Sequence, residues 1–127
     1  MTVADHELEP VDVTVVDTTE VGFTPVDLPG LGAGLEVLHL IDDPDTGMQV
    51  MKIVYRAGFV NRWHTHPCAH GIYVLSGTLV SHRGSHPAGS FVWFPEGGTM
   101  EHGASPDGDV TMLFVTNKPF GIEHLPV

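Results

Sequence analysis

A chain of 127 residues carries 16 acidic side chains against 5 basic ones, a formal net charge of −11, with 42% hydrophobic residues. This suits one domain with one core, and the scarcity of Lys and Arg argues against a nucleic-acid or anionic-membrane partner. A single cysteine, Cys68, excludes an intramolecular disulfide; with no apolar run of bilayer length and no leader pattern at Met1–His6, the expected setting is a reducing cytoplasm.

Residues 1–34 read as an acidic N-terminal arm. Asp5, Glu7, Glu9, Asp12, Asp17, Glu20 and Asp27 lie here without any Lys or Arg, and Pro10, Pro25, Pro29 and Gly30 interrupt any long helix. Val11 to Val16 suits one strand, at a sheet edge or exchanged within a dimer, and the first several residues are expected to be disordered. From residue 35 to 127 the pattern is β throughout and forms the expected domain. Leu35 to Ile41 and Met48 to Arg56 make a hairpin around the turn formers Asp42-Asp43-Pro44-Asp45-Thr46-Gly47. Further strands are expected at Phe59–Thr65, Gly71–Leu75, Gly77–His82, Ser90–Phe94 and Val110–Thr116. No window sustains a 3.6-residue apolar period, so the fold class is all-β, a sandwich or a closed barrel.

The histidines carry the chemistry. In a strand, alternate side chains share a face, so His64 and His66 point the same way, with Arg62 as a candidate beside them. Pro67 turns the chain, and His70 opens the next strand, where it can face the pair. Three imidazoles buried together without a cation would need many hydrogen-bond partners, and a metal ion satisfies them at once.

The segment Gly58 to Gly77 resembles the first motif of the cupins, G-x5-H-x-H-x3-E-x6-G, through Gly58, His64, His66 and Gly77. His70 stands where most cupins have glutamate, which makes the chain similar to the small single-domain tetra-histidine cupins. The second motif, G-x5-P-x-G-x2-H, is matched by Gly89, Pro95 and Gly97. Its histidine comes two residues late, with Met100 at the strict position, so His102 reads as the fourth ligand after a short insertion in the loop Glu96–Glu101. The alternative is a three-histidine site with Met100 lining the pocket. The resemblance implies a double-stranded β-helix of jelly-roll type, a metal inside the barrel near one mouth, and a homodimer.

Four neutral imidazoles would hold a divalent transition metal, Fe or Mn first and Ni, Zn, Co or Cu as alternatives, and would leave its double positive charge intact. Two open positions would then permit dioxygenase chemistry, cleaving a C–C or C=C bond of a small enolisable, phenolic or aromatic substrate. A non-oxidative isomerase or lyase and a non-catalytic metal- or ligand-binding cupin are the competing readings. Candidate catalytic residues are Arg62, to steer an anionic substrate, and Glu101, as a base or to orient a ligand, although strand alternation turns Glu101 away from His102. Ile72, Val74, Phe91, Trp93, Met112, Phe114, Tyr55 and Tyr73 are candidates for inward barrel positions. His6, His39 and His124 have no partner nearby in sequence.

Overall fold

The computed structural model describes residues 8–28 and 31–126; the expectations for the extreme N-terminus fall on residues 1–7, outside that range. Eleven strands and no helix occur among the described residues: β1 (Thr24–Leu28), β2 (Gly32–Asp42), β3 (Gln49–Tyr55), β4 (Val60–Thr65), β5 (His70–Ser76), β6 (Thr78–Ser81), β7 (Gly84–Pro87), β8 (Phe91–Phe94), β9 (Met100–Ala104), β10 (Val110–Thr116) and β11 (Glu123–His124). They form two antiparallel sheets, ordered β1-β2-β3-β10-β5-β8 and β11-β4-β9-β6-β7. Strands distant in sequence interleave in both sheets, as in a jelly roll.

Strict two-residue alternation builds the interior. Along β10, Val110, Met112, Phe114 and Thr116 are buried and the residues between them are not. Met112 lies opposite Ile53 and Phe114 opposite Met51, so β3 and β10 bring the same face to the core. Ile72 and Val74 from β5 complete that wall, and Leu79, Phe94 and Met100 close it from the other strands. Gly103 is where the sheet carrying β4 and β9 is tightest. A Cβ there would collide with the Phe59 carbonyl oxygen and stand 2.8 Å from Val60 Cα.

The hairpin at Asp42–Gly47 forms as the turn residues dictate. Gly47 adopts φ +76°, and Gly47 N–H donates to the Asp43 carbonyl at 2.7 Å. Four features differ from expectation. Val11–Val16 pairs with no strand, and Val11, Val13 and Val15 are exposed by 80, 75 and 82%. The edge strand is instead β1, where Pro25, lacking an N–H, is tolerated. Between the expected strands Gly77–His82 and Ser90–Phe94 a further one forms, because Gly84–Pro87 pairs back on β6 and leaves only His82 and Arg83 as the turn. Part of the supposed loop before His102 is strand β9. Finally, Phe91, Trp93 and Tyr73 do not face inward. Val92 and Phe94 lie opposite Ile72 and His70, which turns Phe91 and Trp93 outward with Tyr73.

Candidate metal centre

β4 delivers its histidines through a break in register. Its pairing with β9 is regular at Val60–Gly103 and Asn61–His102, then shifts before His64–Met100. Such an irregularity re-aims side chains. Here it places Asn61 and His64, three residues apart, both in the interior, which uninterrupted alternation would forbid. Arg62 is thereby displaced from the inner face. Its side chain is exposed, and what it offers the site is its backbone carbonyl. The sequence singled out Arg62 where the interior position belongs to Asn61.

His64, His66 and His102 each offer a ring nitrogen within 4.8 Å of the others, and all three are buried. Nitrogens bound to one transition-metal ion at about 2.1 Å stand at most about 4.2 Å apart, so the spread is close to that of a shared ligand shell. The rings of His64 and His66 are 4.7 Å apart and those of His64 and His102 4.8 Å, each pair nearly perpendicular. His70 stands beside this trio, 4.6 Å from His66 and 6.1 Å from His102 between ring centroids. It is held in a sandwich between Phe94 and Phe114, each 4.7 Å away and nearly parallel.

Hydrogen bonding fixes which nitrogen is free. His64 Nδ1 lies 2.6 Å from the Arg62 carbonyl oxygen, and His66 Nδ1 lies 2.5 Å from that of Gly121. A carbonyl can only accept, so both Nδ1 atoms carry protons and both Nε2 atoms keep a lone pair. His102 Nδ1 is 3.1 Å from the Tyr55 hydroxyl. The remaining nitrogens, Nε2 of His64, His66 and His102 and both of His70, are buried without any hydrogen-bond partner. Orphaned buried polar atoms cost free energy, and His64, His66 and His102 each bring one such nitrogen to a group that could hold a metal ion. Orientation of each ring through its other nitrogen is the usual support of metal-binding histidine.

Burial keeps these rings neutral. It is the largest cause in every case, and histidine neighbours add to it: His64 is pushed down to about 4, His70 to about 3, His66 below its ordinary value and His102 far below. Neutral imidazole is the form that binds a metal.

A cavity of about 490 Å³ opens beside the cluster. Val26, Val37, Ile53 and Phe114 contribute to its walls, His66, His102, Tyr55 and Asn61 form a polar patch, and Phe120 and Ile122 close one side. Glu101 is half-buried next to His102 in sequence and does not line this cavity; it borders a separate, smaller one behind β9. Met100 packs in the core, and Cys68 is buried away from the cluster of three. Sequence reasoning also missed His124, whose Nε2 bonds Asn61 Oδ1 at 2.7 Å, and Gly121. Neither carries a local signal, since both act across more than fifty residues of chain.

A jelly-roll barrel with buried histidines gathered beside an internal cavity defines a cupin. The chain belongs to the ChrR Cupin-like domain family, whose profile matches residues 11–121. No curated protein matches the chain. Among solved structures, the polyketide cyclase RemF of Streptomyces resistomycificus is similar with TM-score 0.76 and 22% identity, covering 91% of this chain and 87% of that one. A candidate acetylacetone dioxygenase of Methylibium petroleiphilum aligns with TM-score 0.75 at 14% identity, covering 94% and 89%. A cupin-like protein of Thermotoga maritima aligns with TM-score 0.64 at 25% identity, covering 72% and 75%.

Proposed function

We propose that this protein is a metal-dependent cupin enzyme in which His64, His66, His70 and His102 hold one divalent transition-metal ion, Fe or Mn foremost, and that it oxidatively cleaves a C–C or C=C bond of a small enolisable or phenolic substrate. The observation that carries the reading is the set of unpartnered, buried imidazole nitrogens beside a cavity. Once bound, such an ion supplies Lewis acidity and open positions for substrate and dioxygen. The chain's own contribution is positional. The Arg62 and Gly121 carbonyls and the Tyr55 hydroxyl hold three rings by Nδ1, and Phe94 and Phe114 hold the fourth by stacking. The apolar walls exclude water from the reacting end of the substrate. Arg62 and Glu101 have no part in this reading, because neither lines the cavity.

A non-oxidative reaction on the same site is the second reading, favoured by the similarity to a polyketide cyclase across most of both chains. One series of measurements separates them. Metal content of the purified protein is determined, and oxygen consumption is followed with β-diketones and phenols, aerobically and anaerobically, for the parent and for His64→Ala and His66→Ala. Oxygen uptake that depends on both histidines supports the dioxygenase. Turnover that continues without oxygen supports the second reading. Protein that takes up none of Fe, Mn, Ni or Zn defeats both.

A further inference from the structure

The cavity walls say what can enter. None of Lys52, Arg56, Arg62, Arg83 and Lys118, the chain's five basic residues, lines it. Arg56 is engaged by Glu36 and Asp109, and Lys118 by Glu96. Lys52 alternates with buried Met51 and Ile53 and so stands on the outer face of β3. Beside the cavity residues Gln49 and His39 stands a carboxylate. Asp42 Oδ1 accepts from Gln49 Nε2 at 2.6 Å, and Asp42 Oδ2 lies 3.8 Å from Nδ1 of the exposed His39, while Gln49 and His39 both border the cavity. An anionic group anywhere except against the histidine cluster would be desolvated with no partner.

The polar patch has one donor to spare. With Nε2 of His102 committed to the cluster, Nδ1 carries the proton and donates to the Tyr55 oxygen. Asn61 Oδ1 lies 2.7 Å from His124 Nε2 and is engaged there. The Tyr55 oxygen thus accepts from His102, and its own O–H proton has no acceptor among the described residues. Tyr55 and Asn61 both line the cavity next to His102.

Resting on the proposed function of this site, we infer that the cavity takes a neutral, largely hydrocarbon molecule with a carbonyl or enol oxygen at one end, and that the Tyr55 hydroxyl donates to that oxygen and selects for it. About 490 Å³ lies within the range of small-molecule sites. A substrate with a carboxylate tail held away from the cluster is thereby disfavoured, since no Lys or Arg lines the cavity.

The test is calorimetric titration at pH 7.5 of the whole protein, metal-free and Zn-loaded, with three probes: 1-phenylbutane-1,3-dione, its para-carboxylate on the ring, and butylbenzene. The dione is expected to bind at least tenfold more tightly than its carboxylate. Tyr55→Phe should weaken the dione by about tenfold, or about 1.4 kcal/mol, and leave butylbenzene unchanged. Val37→Lys, at a half-buried wall position, should reverse the preference in favour of the carboxylate. Equal or tighter binding of the carboxylate by the parent overturns the inference. So does a Tyr55→Phe effect that is the same for dione and hydrocarbon, or failure of all three probes to bind. If the discrimination holds in protein that takes up no metal, the cavity assignment stands while the metal-dependent reading falls.

Discussion

Acidifying the metal-free protein from pH 7.5 to pH 5 should destabilise it through the histidine cluster itself. Unfolded, each imidazole takes up a proton as pH falls through about 6.5. Folded, burial holds His64 to about 4 and His70 to about 3, and His102 is lowered well below its ordinary value in the same sense. The unfolded chain therefore binds more protons across that window. Stability is full above about pH 6.5 and drains away as the pH falls towards 4. At pH 5 the loss is about 2 kcal/mol for His64 and about 2 kcal/mol for His70, with His102 adding in the same direction. Against a total stability of about 5–15 kcal/mol for a typical domain, that is a large fraction. Urea denaturation of chelator-treated protein at both pH values, followed by fluorescence, measures it. Bound Zn at pH 7.5 should raise the midpoint, because the ion binds only the folded state. An unchanged midpoint between pH 7.5 and pH 5 in the metal-free protein would refute the claim that these rings are buried and neutral.

Three further outcomes follow from the same geometry. His70→Leu replaces a buried ring with two orphaned nitrogens by an apolar side chain of similar volume, so the metal-free protein should gain about 1–3 kcal/mol in the same urea assay, while metal affinity measured by competition with a chromophoric chelator falls. Tyr55→Phe removes the acceptor of His102 Nδ1 and should lower metal affinity by about 10–100-fold in that competition, with strand content by circular dichroism unchanged. Gly103→Ala forces β9 away from β4 at the Phe59 carbonyl, beside the Asn61–His102 pair; thermal unfolding should fall by several degrees and metal affinity should drop with it.

Much of the site was legible because three of its histidines are close in sequence and strand geometry is local. The spacing of His64 and His66, the turn at Pro67 and the position of His70 at the head of β5 together predict one inner face. His102 was reachable only through resemblance, since its place is set by pairing with β4 across some forty residues. Alternation failed wherever a ladder slips. Extrapolating it from His64 puts Arg62 inside, and the irregularity between Asn61 and His64 reverses that. Phe91 and Trp93 were misplaced for a related reason: a four-residue strand rich in large apolar side chains gives no polar phase, and only its register on β5 tells its two faces apart. Val11–Val16 has the composition of a strand but needs a neighbouring edge to become one, and composition names no neighbour.

Two of the three groups that steer the histidine rings are main-chain oxygens, those of residues 62 and 121. No exchange of side chain can delete a peptide carbonyl. Mutational drift at Arg62 or Gly121 can therefore erode the centre only by moving the backbone, whereas Tyr55 supplies its contact through a removable hydroxyl. The electronic character of an ion held by this cluster would thus be open to adjustment by point substitution at one of these three supports, and selection for a different reactivity in a relative would leave its mark there first.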